Sequence, residues 1–132
     1  MKISRIVEKD GLIVTHFGGI QTLEHIINAL NELIEINKGK KIIFELVINS
    51  DDVKLKLSRD DEFWLTTKLK ETFEIHEFGV LAVVSNDDFV FGITRMLAAR
   101  IEPHICVAVF RTEKLAREWI KEIRLEHNKG NI

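Results

Sequence analysis

Three short apolar runs, near Ile42, Val80 and Ile105, are each followed by a stretch whose apolar residues recur at helical spacing. Runs this short and this continuous suit strands buried on both faces of a sheet, and they are too short for a surface helix. Strands joined by helices must cross over, which sets neighbouring strands parallel. The alternation therefore restricts the chain to the α/β class, with helices packed on both faces of one sheet. Ile42-Ile43-Phe44-Glu45-Leu46-Val47-Ile48 is expected to be a central strand, Gly79 to Val84 another and Ile105 to Phe110 the last.

Ahead of these runs, Ile3 to Val7 and Leu12 to Phe17 flank Glu8-Lys9-Asp10-Gly11, and an Asp-Gly step between β-type runs signals a hairpin. Leu23, Ile26, Ile27, Leu30, Leu33 and Ile34 form the stripe of an amphipathic first helix, and Gly39 suits its C-terminal cap. Ser58-Arg59-Asp60-Asp61 has the form of a capping box opening a second helix, with Leu65, Leu69 and Phe73 on its buried side. Ser85-Asn86-Asp87-Asp88 caps a third helix reaching Arg100, and Thr112 caps a fourth whose buried side is Leu115, Ala116, Trp119, Ile120 and Ile123. The expected fold is thus a single-domain mixed sheet of about five strands, an N-terminal antiparallel hairpin followed by parallel crossovers, with four helices. The domain is expected over residues 1–126, with 127–132 a frayed tail.

The 132 residues fit one domain of ordinary size, able to bury about two thirds of its unfolded surface without disulfides or a structural metal. The lone Cys106 lies in an apolar run and reads as a small buried hydrophobe. Nineteen basic residues against 21 acidic ones provide no broad positive field, which argues against nucleic acid as a partner. No apolar run approaches the ~20 residues of a transmembrane segment, and charges interrupt the first ten residues, so a cytoplasmic protein is expected.

Motif searches give no catalytic signature: no Gly-rich phosphate loop, no nucleophile elbow and no metal-spaced pair of His or Cys. His16, His25, His76, His104 and His127 are scattered over different elements, so neither a metal site nor a cofactor is expected. The acidic clusters Asp51-Asp52, Asp60-Asp61-Glu62 and Asp87-Asp88 mostly fall at helix starts, where negative charge complements the dipole and caps free N–H groups.

Two helices carry more apolar surface than a sheet can cover. Trp64 is turned about 100° from the Leu65 stripe, which points it toward an interface. Phe89, Val90, Phe91, Ile93, Met96 and Leu97 spread around the third helix, so a partner, a second copy or an apolar ligand is needed to cover it, and Gly92 is expected on a crowded side. In the open sheets of this class, ligands and partners meet the loops after the strands' carboxyl ends, here beginning near Asn49, Ser85 and Arg111. The expected surface comprises Ser50, Asp51, Ser58, Trp64, Phe89, Phe91 and Met96. If the chain is instead a carrier, Phe63, Trp64, Phe89, Phe91 and Met96 are expected to line an apolar pocket.

The stretch Val107-Ala108-Val109-Phe110-Arg111-Thr112-Glu113-Lys114-Leu115-Ala116-Arg117-Glu118-Trp119-Ile120, with Phe91-Gly92-Ile93-Thr94-Arg95-Met96, resembles the SpoIIAA-like family of STAS-related domains. The resemblance extends to the element order along nearly the whole chain. It implies a mixed sheet with flanking helices, similar to bacterial antagonists of anti-sigma factors, which bind a partner protein without doing chemistry. A related branch resembles lipid carriers, which implies a small apolar, lipid-like ligand as the alternative to a protein partner or a homodimer. In the antagonists, a serine in an Asp-Ser-Ser-Gly type sequence after the central strand is phosphorylated. Here Ile48-Asn49-Ser50-Asp51-Asp52-Val53 continues through Lys54-Leu55-Lys56-Leu57 to Ser58, longer and without the glycine, so Ser50 and Ser58 are candidate modification points that depart from that pattern.

Overall fold

The computed structural model describes residues 2–74, 76–101 and 105–130; His104 and the last two residues of the expected tail lie outside the described residues. The chain opens with β1 (Lys2–Val7) and β2 (Ile13–Gly18), paired antiparallel around a turn in which Gly11 takes a φ of +88° and the Asp10 carboxylate accepts the Leu12 N–H at 3.1 Å. A three-residue strand, β3 (Ile20–Thr22), leads into α1 (Leu23–Ile36). Thr22 caps this helix, its hydroxyl accepting from the His25 N–H while His25 Nδ1 accepts from the Thr22 N–H. Gly39, at φ +81°, turns the chain toward β4 (Ile42–Asn49) just beyond the Asn37 cap.

A second three-residue strand, β5 (Lys54–Lys56), pairs in parallel with β3 and forms a small sheet of its own inside what reads in sequence as a polar loop. It precedes α2 (Arg59–Glu74), whose capping box is as expected: Ser58 Oγ accepts the Asp61 N–H at 3.1 Å, and Asp61 Oδ2 accepts the Ser58 N–H at 3.0 Å. Then come β6 (Phe78–Val84), α3 (Asp88–Ile101) capped by the Asp87 carboxylate, β7 (Ile105–Phe110) and α4 (Glu113–Asn128) capped by Thr112. The main sheet has the order β1-β2-β4-β6-β7, parallel from β2 onward.

The two faces of this sheet have separate cores. Ile13, Ile43, Leu81, Val83, Ile105 and Val107 pack against Leu30 and Leu33 of α1, Leu65, Leu69 and Phe73 of α2, and Ile93 and Leu97 of α3. On the other face Leu12, Val14, Leu46, Val80 and Ala82 meet Ala116, Trp119, Ile120 and Ile123 of α4, with half-buried Cys106 among them. The strands through the centre are therefore apolar on both sides, which is why they read as continuous runs.

Ion pairs supplement this packing by linking α4 to the hairpin. Arg117 donates to both oxygens of Glu8 at 2.9 Å and to Glu113 at 2.8 Å, and Arg124 reaches Asp10 at 2.5 Å while its guanidinium lies over the Phe44 ring. The Arg117 contact holds the Glu8 carboxyl below its ordinary range, and that pairing raises the Arg117 guanidinium further. The helix continues through Asn128, so the first two residues of the segment expected as a tail are helical, with His127 stacked on Phe78.

Two expectations need correction. Leu115 is exposed, because the buried stripe of α4 runs through Ala116, Trp119, Ile120 and Ile123 and Leu115 is turned about 100° from Ala116. Gly92 is also exposed, with nothing within 4 Å of where its Cβ would be, so its side of α3 is open. The crowded glycine is Gly79, where β6 passes under the Phe73 ring.

Candidate functional site

The carboxyl ends of β4, β6 and β7 lie along one edge, and hydrogen bonds between their loops tie that edge together. Asn49 Nδ2 donates to the Val84 carbonyl at 3.2 Å, and Asn86 Nδ2 reaches Asp51 Oδ1 at 3.4 Å. From the next strand, Arg111 donates to the Asn86 carbonyl at 3.0 Å and to Asp88 Oδ1 at 2.8 Å, with its guanidinium 4.0 Å from the centre of the Phe91 ring. This explains Phe91: it is half-buried beneath a cation and lines a shallow groove with Arg95, Ala98 and Ala99.

Ser50 and Asp51 are exposed in the loop after β4. Ser50 Oγ donates to Asp52, whose other partner is the Gly19 N–H, and the two contacts, Ser50 first, hold the Asp52 carboxyl below its ordinary range. Ser58 is exposed at the start of α2 and is occupied there as its N-cap. One turn along, Phe63 and Trp64 are 67% and 60% exposed and meet edge to face, and at the start of α3 Phe89 is 53% exposed. Phe89 projects from the first turn of α3, which starts at the tied edge, and Phe63 and Trp64 project from the second turn of α2, which follows the loop after β4 by way of β5. Met96 is half-buried and sits about 10 Å further along α3 than Phe89, away from that edge.

A second feature lies beneath the helices. Between the sheet and α1, α2 and α3 is an apolar cavity of about 130 Å³, lined among others by Ile26, Leu65, Leu69, Leu81, Val90, Ile93 and Leu97. Its walls are not those expected of a carrier: among the described residues Phe63, Trp64, Phe89, Phe91 and Met96 are not part of its lining, because they point outward from the helices whose inner faces form it.

Polar groups at one end of the cavity come from Arg5, Gln21, Glu45 and Asn49. Arg5 is opposite Thr15 across β1 and β2, and Glu45 of β4 lies diagonally from Thr15, two residues out of register with it on the same face. Arg5 Nε donates to Thr15 Oγ1 at 2.9 Å, that hydroxyl donates to Glu45 Oε2 at 2.9 Å, and the guanidinium is 3.6 Å from Glu45 Oε2. Arg5 also donates to the Ala29 carbonyl and to Glu32 of α1. Burial pushes the Glu45 carboxyl above its ordinary range, against the pull of Arg5 and the Thr15 hydrogen bond.

Seventeen percent of residues are identical between the chain and an uncharacterised protein of the DUF3478 family with a SpoIIAA-like fold from Shewanella loihica PV-4; the match covers 90% of this chain and 92% of that one with a TM-score of 0.60. The chain has a SpoIIAA-like fold. The Bacillus cell fate determinant SpoIIAA, in its phosphorylated form, matches over 90% of this chain and 99% of that one, at 12% identity and a TM-score of 0.50. No protein-family model and no curated protein matches the chain. Identities this low establish the SpoIIAA-like fold and leave function to the residues themselves.

Among the described residues no three His, Cys, Asp or Glu side chains gather into a metal-binding group, and no helix is long and apolar enough to cross a membrane. Sequence reading passed over the polar end of the cavity. The signal for Glu45 was one charged residue within the apolar run of β4, and the signal for Gln21 was weaker still, an amide in a strand of three residues.

Proposed function

We propose that this SpoIIAA-like domain is a non-catalytic regulatory or interaction module, and that it docks a protein partner on the surface formed by the loops after β4 and β6 and the first two turns of α2 and α3. The observation that carries this reading is the exposure of Phe63 and Trp64 on the second turn of α2 and of Phe89 on the first turn of α3, the two helices that follow the tied loops after β4 and β6. Large aromatics held on rigid helix turns make interface anchors, since they contribute contact area with little side-chain entropy to lose.

The charge around them describes the partner. Asp51, Asp52, Asp60, Asp61, Glu62, Asp87 and Asp88 outnumber Lys54, Lys56, Arg59 and Arg111 in the same stretches, and Arg111 is already paired with Asp88. A partner presenting an apolar pocket with basic residues at its rim complements this edge. A second copy docked through the same patch would set these carboxylates against their own kind, which disfavours an isologous homodimer.

Ser50 and Ser58 are the candidate modification points on this edge. A phosphate on Ser58 would gain from the α2 dipole yet stand beside Asp60, Asp61 and Glu62, and one on Ser50 would stand beside Asp51 and Asp52; either would strengthen the acidic field presented to a basic partner. A single cysteine and the absence of any described membrane-crossing helix are compatible with the cytoplasm as the working compartment.

Capture from native extract with the tagged protein as bait tests this reading. The double variant Trp64→Ala/Phe89→Ala is expected to lose the captured partner, while Leu125→Ala, which truncates an exposed residue of α4 on the opposite face, is expected to keep it. Equal capture by parent and double variant would place docking elsewhere.

A further inference from the structure

We infer that the open edge of β7, with the groove between it and α3, takes an extended segment of a partner protein as a sixth strand of the main sheet, a segment with apolar side chains on one face and a carboxylate on the other that meets Arg95. The site is separate from Phe63, Trp64 and Phe89, and the inference does not rest on them.

β7 is the last strand of the main sheet, and among the described residues no strand pairs with its outer side. The Phe110 carbonyl accepts the Ser85 N–H at 3.0 Å, so it faces the β6 side. Backbone groups alternate in direction along a strand; Ala108 and Cys106 therefore also turn theirs to β6, while Val107 and Val109 each turn an N–H and a C=O outward. Charges, prolines and bulges are what keep edge strands from pairing further. β7 has no charged residue and no proline, and its register with β6 is continuous from Ile105 to Phe110. β1, at the opposite edge, is defended: Lys2 is exposed, and Arg5 turns inward to the Ala29 carbonyl. An edge left as β7 is left is a template for an added strand.

The two faces of β7 specify the segment. Toward α4, Cys106, Ala108 and Phe110 are only half-buried, and the Phe110 ring lies 5.5 Å from that of half-buried Trp119. Apolar side chains at alternate positions of an added strand would cover this surface. Toward α3, the groove beside Val107 and Val109 is lined by Phe91, Arg95, Ala98 and Ala99. Arg95 is exposed and has no hydrogen bond or ion pair among the described residues, so a carboxylate on the other face of the segment complements it. A second copy does not supply that carboxylate. Antiparallel pairing of two β7 strands would put both copies of α3 on one side of the joined sheet and turn Arg95 toward Arg95, and the one acidic residue of α3, Asp88, is already paired with Arg111.

The peptide acetyl-Val-Thr-Val-Glu-Val-Thr-Val-amide, titrated into the full chain and followed by amide chemical shifts, probes the site. It is expected to shift the Val107 and Val109 amides and the Arg95 side chain, and the same peptide with lysine in place of glutamate is expected to bind at least about fivefold more weakly. Arg95→Glu, a change at an exposed position, should reverse that preference. Of two N-methylated peptides, one blocked at the valines and one at the residues between them, a single form should lose binding, because only alternate amides of an added strand face β7. In the chain alone, hydrogen exchange at Val107 and Val109 should not depend on protein concentration; protection that grows with concentration would give the edge to a second copy and overturn the inference. So would unmoved Val107 and Val109 amides at millimolar peptide, equal affinity for the glutamate and lysine peptides, or equal binding by both N-methylated forms.

Discussion

Two glycine-to-alanine substitutions that look alike in sequence should move stability in opposite directions. A Cβ added at Gly79 would lie 2.5 Å from Phe73 Cδ1 and 3.1 Å from Cε1, against an ordinary carbon–carbon contact of about 3.5–4.0 Å. Phe73 is 2% exposed and packed in the larger core, so its ring cannot swing away into solvent. Overpacking of this kind costs about 1–3 kcal/mol, offset by about 0.4–1 kcal/mol from the stiffer unfolded chain, for a net loss of about 1–2 kcal/mol. At Gly92 the same methyl meets nothing within 4 Å, and the position lies inside α3, where alanine is favoured over glycine by about 0.5–1 kcal/mol. The two variants should therefore differ by about 1.5–3 kcal/mol. With a urea slope of about 1–2 kcal/mol per molar, their midpoints should separate by about 1–2 M and bracket the parent. Midpoints that move the same way would refute the placement of α3 or of β6 beneath Phe73.

Arg5→Met leaves Glu45 buried without its cation and should cost about 3–5 kcal/mol at pH 8. Because burial raises the Glu45 carboxyl, the folded protein holds a proton that the unfolded chain releases above its ordinary value near 4.5; stability from this group is present at low pH and lost as pH rises, so the penalty should shrink at pH 5, and a penalty equal at both pH values would contradict the assignment. Arg117→Met frees Glu8, whose carboxyl is held low, so the pairing stabilises above pH about 4.5 and fades on acidification; at partial exposure it should be worth less than about 1 kcal/mol, and a loss well above that in urea melts at pH 7 would mean that α4 depends on this clamp far more than its geometry implies. Trp64→Ala should leave the unfolding free energy from urea melts within about 0.5 kcal/mol of the parent, whereas a loss of about 3–5 kcal/mol would show that Trp64 is buried.

The alternation of apolar runs and helical stripes made the main sheet legible because strands buried on both faces carry an unbroken apolar signature, and caps at Ser58 and Thr112 marked helix starts through local chemistry alone. The Asp10-Gly11 turn and the outward projection of Trp64 were readable for the same reason, since both depend on residues close in the chain. The small β3–β5 sheet was not, because three-residue strands have no periodicity to detect and their pairing joins Gln21 to Leu55 across the whole of α1 and β4. Nor was the cavity's polar end, where Glu45 makes sense only beside Arg5 and Thr15, partners supplied by strand register rather than by sequence spacing. The cavity itself depends on how far three helices stand off the sheet, which no single stripe encodes.

The docking edge is tested most directly by the dissociation constant of a captured, purified partner for the parent and for Trp64→Ala, measured by titration calorimetry. An anchor at the centre of an interface is worth at least about 2 kcal/mol, so the variant should bind about thirtyfold more weakly or worse while melting as the parent does. An unchanged dissociation constant for a normally folded Trp64→Ala would contradict the account.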